Sequence, residues 1–254
     1  MADHREPIFK APWPAMTLVG AILGPYGLQV FVLGDAAYQR FGFSPAAYEA
    51  GAQFGLLSAL FIHGGWVHAF MNAAGALAFG SPAARLFGLR PQGAAVFFAY
   101  YLACGALANL AFAKLHPGEE ILLVGASGAV FGLIGAATRI LAGAGRLAPL
   151  YDSRVLFMSA AWIGLNLMIA VLGFAPGLEG AVAWEAHIAG FLAGLFLAGP
   201  AAWSRRRWTR PSERLPQPTL CDRLVAQGMR EKTTYACVPD PEGQGRPGLH
   251  RHAQ

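Results

Sequence analysis

Charged residues are scarce in this chain. Asp, Glu, Lys and Arg together make up 13% of its 254 residues, whereas soluble globular proteins carry about 25%. Hydrophobic residues make up 55% of the chain, and its mean hydropathy is +0.42. The composition therefore excludes an ordinary soluble domain and favours an integral membrane protein.

The chain also lacks the patterns of a metal or disulfide protein. Its three cysteines, Cys104, Cys221 and Cys237, match neither a zinc motif nor a disulfide framework. There is no His-Glu-x-x-His sequence, and His63 and His68 are five residues apart rather than the four of a zinc helix. We expect no metal and no other cofactor. The cluster of arginines after residue 204 fits the cytoplasmic flank of a membrane helix better than a nucleic-acid-binding tail.

Long stretches without any charge organise the chain. A helix needs about 20 apolar residues to cross roughly 30 Å of hydrocarbon. Six runs meet or approach that length, namely residues 11–34, 50–84, 91–113, 121–138, 155–178 and 186–204. We therefore predict an all-α membrane protein with a bundle of six transmembrane helices over residues 11–204. A cytoplasmic segment, residues 1–10, would precede the bundle, and a polar, flexible cytoplasmic tail, residues 205–254, would follow it.

Two of these runs are irregular. Run 50–84 is too long for one span, so we expect loop or interfacial structure over residues 50–61 and a helix from about residues 64–65 to about residues 80–82. The fourth span opens on the glycine-rich residues 124–128, which indicates a helix that begins inside the membrane. Irregular backbone at that depth persists only where it is buried or lines a water-filled cavity.

The distribution of Lys and Arg predicts the orientation, since these residues concentrate in cytoplasmic loops. With the N terminus inside, six spans return the C terminus to the inside. The inner loops and the tail then carry Arg85, Arg90, Arg146, Arg154, Arg205, Arg206, Arg207 and Arg210. The outer loops carry only Arg40 and Lys114 as cations, and Arg139 would reach the inner headgroups from the end of the fourth span.

Polar side chains inside the apolar runs need a reason, because they are costly in lipid. They are His63, His68, Asn72, Asn109, Ser127, Asn166 and His187. Three of the seven histidines of the chain are among them, and we interpret His63 as structural.

Ser127 and His187 both lie beside small residues that allow close helix contact. Ser127 is part of Gly125-Ala126-Ser127-Gly128, and small residues recur every four positions at 186, 190 and 194 around His187. Two such faces in contact would bring the hydroxyl to the imidazole, and a serine needs a base to become a nucleophile. Taken singly, Ser127 also fits tight helix packing, and His187 fits a structural histidine bonded across helices.

His68 and Asn72 are four residues apart, which places them on one face of a helix. Both can donate hydrogen bonds, as an oxyanion requires. The backbone N–H of Ser127, at a helix start, would be a third donor. The alternative is a polar patch that holds helices together.

Together the three motifs resemble the rhomboid family of intramembrane serine proteases. The resemblance rests on His63-x4-His68-x3-Asn72, on Gly125-Ala126-Ser127-Gly128 and on Ala186-His187-x2-Gly190-x3-Gly194. It implies a Ser127–His187 catalytic dyad, an oxyanion site formed by His68, Asn72 and the Ser127 amide, and Phe131 stacked on the catalytic histidine.

The resemblance further implies that the substrates are transmembrane proteins, cut in or near a membrane segment. Because hydrolysis consumes water, we predict a cavity open to the outer side and lined by His68, Asn72 and His187. The resemblance also implies a multi-pass protein of a bacterial inner membrane. The alternative is a catalytically silent protein of the same fold that binds or escorts membrane clients. Many relatives carry a Trp-Arg pair in the first outer loop, whereas residues 35–53 contain only Arg40. The sequence leaves the oligomeric state open.

Overall fold

The computed structural model of the chain describes residues 11–172 and 182–208 and the short pieces 235–236 and 250–251. Its contacts divide the chain into two units, Met1–Trp208 and Thr209–Gln254. In the second unit β1 (Tyr235–Ala236) pairs antiparallel with β2 (His250–Arg251). The predicted segment 1–10 and most of the predicted tail lie outside the described residues.

The described part of the first unit is built from helices. They are α1 (Trp13–Leu28), α2 (Ala36–Phe41), α3 (Pro45–Glu49), α4 (Gly55–Ser58), α5 (Trp66–Phe87), α6 (Pro91–Leu115), α7 (Ser127–Ala142), α8 (Ser153–Leu172) and α9 (Trp184–Trp208). A π-helical turn, Gln29–Leu33, extends α1, and a 3-10 turn, Ala59–Phe61, follows α4. The predicted all-α class is thus confirmed for this unit.

Among the described residues, four helical segments are long and apolar enough to cross a membrane. They are Trp13–Leu33, Pro91–Leu115, Ser153–Leu172 and Trp184–Ser204. Helix α7 is apolar but has 16 residues, which is about 24 Å at 1.5 Å per residue. Helix α5 has 22 residues but includes His68, Asn72 and Arg85. Several apolar helices therefore identify a multi-pass membrane fold, and the count of six spans stays a prediction.

The structure corrects the predicted end of α5. The helix begins at Trp66, close to the predicted start, but it continues through Pro82 to Phe87. Pro82 leaves the Ala78 carbonyl without its N–H partner in the helix, a loss that membrane helices tolerate where neighbouring groups satisfy the freed backbone. One residue earlier, the Ser81 hydroxyl donates to the Leu77 carbonyl at 2.6 Å. The expected loop over residues 50–61 contains α4 and the 3-10 turn and is separate from α5.

Helix α7 lies at the centre of the bundle. It packs against α5, α6 and α9, and all its residues are buried except Ser127, Phe131 and Leu141. Such burial suits a helix too short to span the bilayer, because most of it is covered by protein rather than by lipid. Ser127 and Phe131, which are partly exposed, lie one turn apart on one face near its N terminus, and Leu141 is 61% exposed in its last turn.

Arg139 closes the other end of α7, and here the expectation of a side chain reaching the headgroups is wrong. The residue is 8% exposed. Its Nε donates to the Ala148 carbonyl at 2.9 Å, and its Nη1 donates to the Leu195 carbonyl at 2.8 Å. The guanidinium therefore ties the C-terminal turn of α7 to the following loop and to α9.

Candidate active site

Ser127 is the first residue of α7, and the segment before it is fixed from several sides. Gly125 has a φ of +117°, a backbone conformation that glycine adopts readily and other residues rarely do. Its N–H donates to the Ala59 carbonyl at 2.9 Å. Two residues earlier, Leu123 exchanges backbone hydrogen bonds with Phe43 at 2.7 and 2.9 Å. The serine therefore stands at the end of a loop held by Phe43 and Ala59, which lie between α2 and α5 in the chain.

His187 reaches Ser127 because α7 and α9 meet through glycine. A Cβ atom built on Gly190 would overlap the Gly128 carbonyl oxygen, and one on Gly194 would overlap the Gly132 carbonyl oxygen. The predicted contact of two small-residue faces is thus confirmed. It allows the backbones to approach more closely than any side chain would permit.

One polar contact across this α7–α9 seam joins the predicted nucleophile to the predicted base. The Nε2 atom of His187 and the Oγ atom of Ser127 are 2.8 Å apart. Both residues are partly exposed, although they lie among apolar helices. A serine hydroxyl within hydrogen-bond reach of an imidazole has the geometry that general-base activation requires.

Two further contacts fix the imidazole of His187, one on the face of the ring and one at its other nitrogen, Nδ1. The Phe131 ring stacks on it with centroids 4.4 Å apart and planes at 14°. The Oδ1 atom of Asn166 lies 3.0 Å from His187 Nδ1. The structure therefore brings together Ser127, His187 and Phe131 as the sequence predicted, and it adds Asn166 from α8.

His68 lies beside the loop that carries the serine. Its ring is so close to Gly125 that a Cβ there would be 2.6 Å from His68 Cε1. Its Nδ1 accepts from the Gly64 N–H at 3.4 Å, which leaves Nε2 directed toward the segment before Ser127.

Asn72 follows His68 by one turn and is 5% exposed. Its Nδ2 donates one hydrogen to the His68 carbonyl at 3.1 Å. Among the described residues, neither His68 nor Asn72 hydrogen-bonds to the Ser127 hydroxyl, so their part in an oxyanion site remains a prediction.

His63 supports the site without touching the serine hydroxyl. Its Nε2 accepts from the Ala126 N–H at 3.4 Å, directly before Ser127. Its own backbone is fixed by Gln29, whose Nε2 donates to the His63 carbonyl at 3.0 Å and whose Oε1 accepts from the His63 N–H at 3.1 Å. The Tyr38 hydroxyl also donates to that carbonyl at 3.0 Å. The contacts agree with the structural interpretation of His63.

Sequence reasoning missed the roles of Gln29 and Asn166. Both are polar residues in otherwise apolar runs, and both are almost completely buried, with exposures of 3% and 2%. That anomaly was the signal available, but it does not name the partner. Within the described residues, no group of three or more His, Cys, Asp or Glu side chains could hold a metal ion.

Comparisons with known proteins place the chain in a family. The model of the Rhomboid domain matches residues 50–203, a range that contains Ser127, His187 and every other predicted site residue. The chain is 31% identical over 150 residues to RHOMBOID-like protein 5 of Arabidopsis thaliana; the alignment covers 59% of this chain and 44% of that protein. The chain thus spans less than half the length of this relative. Since the family match covers more than half of the chain, the protein belongs to the rhomboid family.

Proposed function

We propose that this protein is an intramembrane serine endopeptidase that hydrolyses peptide bonds in or near the transmembrane segments of other membrane proteins. The observation that carries the proposal is the 2.8 Å hydrogen bond between Ser127 Oγ and His187 Nε2. Polar groups are expensive in a membrane-spanning bundle and mark functional sites there, so a hydrogen-bonded Ser–His pair favours a chemical role over packing alone.

The reaction follows from this pair. Ser127 Oγ attacks the carbonyl carbon of the scissile peptide while its proton passes to His187 Nε2. The C–N bond then breaks, and the imidazolium gives that proton to the departing amine, which leaves an acyl ester on Ser127. A water molecule, deprotonated by His187, attacks the ester, and the proton returns to Ser127 as the acid product departs.

The negative oxygen of each tetrahedral intermediate needs donors. The Ser127 N–H is available because the first N–H groups of a helix have no partner within it. His68 can donate from Nε2, and Asn72 keeps a second amide hydrogen beyond the one bonded to the His68 carbonyl. Removing one such donor costs about 10²–10³-fold in kcat in a related type of site.

The reaction also needs water at membrane depth. The partial exposure of Ser127, His68 and His187 supports a cavity that is open to the outer side. In this proposal α1, α5, α6, α7, α8 and α9 cross the membrane, α7 beginning inside it, and both termini with the tail 205–254 are cytoplasmic. The small size of the chain and its simple plan fit a bacterial inner membrane.

The test is cleavage of a transmembrane model substrate by the purified protein in detergent. Wild type should cleave, and Ser127→Ala and His187→Ala should each lose at least about 10²-fold in rate, the lower bound for general-base catalysis, while melting at a similar temperature. Equal cleavage by all three proteins would identify a contaminating protease and reject the proposal.

A fluorophosphonate probe separates a missing substrate from an unreactive serine. If wild type cleaves nothing but is labelled at Ser127, and His187→Ala is not labelled, the dyad is active and the substrate is wrong. If Ser127 is not labelled either, the protein is not a serine hydrolase, and the role of binding or escorting membrane clients takes its place.

A further inference from the structure

Asn166 is buried inside the protein, although most residues of its helix, α8, are exposed. Within α8, only Val155 and Asn166 are buried. The neighbours of Asn166 in sequence, Leu165, Leu167 and Met168, are 41–52% exposed. An amide at 2% exposure in such surroundings has no water to bond to, so its hydrogen bonds must come from the protein.

The hydrogen bonds of Asn166 fix which way its amide points. Its Nδ2 donates to the Trp162 carbonyl at 3.0 Å, one turn earlier in α8. Turning the amide over would set its oxygen against that carbonyl oxygen. The amide oxygen, Oδ1, is therefore the atom that faces His187 Nδ1 at 3.0 Å.

This orientation decides where the imidazole carries its proton. An amide oxygen can only accept, so Nδ1 of His187 must be the donor. In a neutral imidazole the other nitrogen, Nε2, is then bare and can accept the hydrogen of the Ser127 hydroxyl. The stack on Phe131 restrains the plane of the ring. A half-turn of the ring about its Cβ–Cγ bond would restore the same plane, but with the two edges of the ring exchanged. The bond to Asn166 prevents that exchange.

We infer that Asn166 is a positioning residue, which holds His187 in the tautomer and orientation that a general base for Ser127 needs. The inference rests on the proposed function for its catalytic consequence. Its structural content, the proton on Nδ1, stands apart from any substrate. Through Asn166, α8 contributes to the site, although it carries none of the residues that touch the reacting atoms.

The kinetic test compares two substitutions, one without and one with an acceptor oxygen beside His187 Nδ1. Asn166→Leu removes the acceptor. Asn166→Asp keeps an acceptor oxygen beside Nδ1 but loses the amide hydrogens that bond to Trp162. We expect Asn166→Leu to lower kcat by about tenfold or more, a part of the ~10²–10⁴-fold that general-base catalysis contributes, with KM changed less than twofold. Asn166→Asp should recover most of kcat.

Asn109→Leu is the matched control. Asn109 is a buried asparagine of α6 with 5% exposure, and its Nδ2 donates to the Leu56 carbonyl at 3.0 Å. Its replacement should lower the melting temperature about as much as Asn166→Leu but leave kcat unchanged. An equal fall of kcat in both variants, or an Asn166→Asp variant no better than Asn166→Leu, would overturn the inference in favour of a helix-packing role.

Histidine-selective ¹⁵N NMR in detergent reads the tautomer directly, and His187→Ala assigns the signal. Wild type should show neutral His187 protonated at Nδ1, and Asn166→Leu should shift population toward protonation at Nε2. A wild-type proton on Nε2, or a tautomer unaffected by Asn166→Leu, would refute the inference. If wild type proves inactive, the proposed function fails while this measurement still decides the position of the proton.

Discussion

Helices α7 and α8 are neighbours in the chain, but their burial is the reverse of what their hydropathy suggests. The segment Ser153–Leu172 has a mean hydropathy of 2.2, the highest of the four candidate spans, and buries only two residues. Helix α7 is rich in Gly and Ala and buries all but three. In lipid an apolar side chain gains nothing by moving inward, so the helix whose small residues allow close backbone contact takes the centre.

The first prediction tests this difference by adding one methyl group to the tight contact between α7 and α9 and one to the open face of α8. Gly190→Ala in α9 would drive its Cβ into the Gly128 carbonyl oxygen of α7, and a backbone atom cannot move aside. We expect a loss of stability at or above the ~3 kcal/mol upper range of overpacking costs. Cleavage should also be lost, because His187 would be displaced from Ser127.

Gly164→Ala in α8 is the control for that substitution, since its Cβ would meet nothing within 4 Å. It should leave stability unchanged or raise it by up to about 1 kcal/mol through helix propensity. Melting temperatures in detergent, with activity measured beside them, compare the two variants. Equal melting temperatures would mean that the α7–α9 contact is not the tight seam described above.

The second prediction compares two arginines. Arg139→Leu removes two hydrogen bonds from a buried guanidinium to the Ala148 and Leu195 carbonyls. Bonds to charged groups contribute about 1.5–3 kcal/mol each, so we expect a loss of about 3 kcal/mol or more in thermal unfolding.

Arg154 at the start of α8 provides the comparison. Its side chain is 70% exposed and pairs with Asp152 at 3.4 Å, and exposed ion pairs contribute about 0–1 kcal/mol. Arg154→Leu should therefore hardly change the melting temperature. A loss as large as that of Arg139→Leu would show that the loop before α8 is as firmly anchored as the centre of the bundle.

The smallest expected effect concerns two phenylalanines. Phe131→Ala in α7 removes the ring stacked on His187. Such contacts are worth about 0.5–1.5 kcal/mol, which corresponds to a fall in kcat of about two- to tenfold if all of it orients the imidazole. Phe157→Ala in α8, where the side chain is 76% exposed, should leave kcat unchanged. The measurement is turnover at a temperature well below both melting points. Equal rates for Phe131→Ala and Phe157→Ala would show that the Phe131 ring does not orient the imidazole.

The sequence carried the resemblance that the family match confirms, and it predicted that Ser127 and His187 would meet across two helices; their catalytic role stays a proposal. It succeeded there because Gly190, Gly194 and the glycines of α7 describe a contact that needs no knowledge of the rest of the fold. It failed for the end of α5, since the helix continues through Pro82 to Phe87, as membrane helices can. It also failed for Arg139, whose acceptors belong to a loop and to another helix.

What the sequence determined by itself is what depends on composition and local spacing. The scarcity of charge, the apolar runs and the small residues around Ser127 and His187 fix the membrane class and the seam between α7 and α9. The tertiary structure alone decided the partners of isolated polar groups. Gln29 meets His63 across 34 positions of the chain, and Asn166 meets His187 across 21. A buried amide must find a partner, but only the packing of the helices determines which one lies within reach.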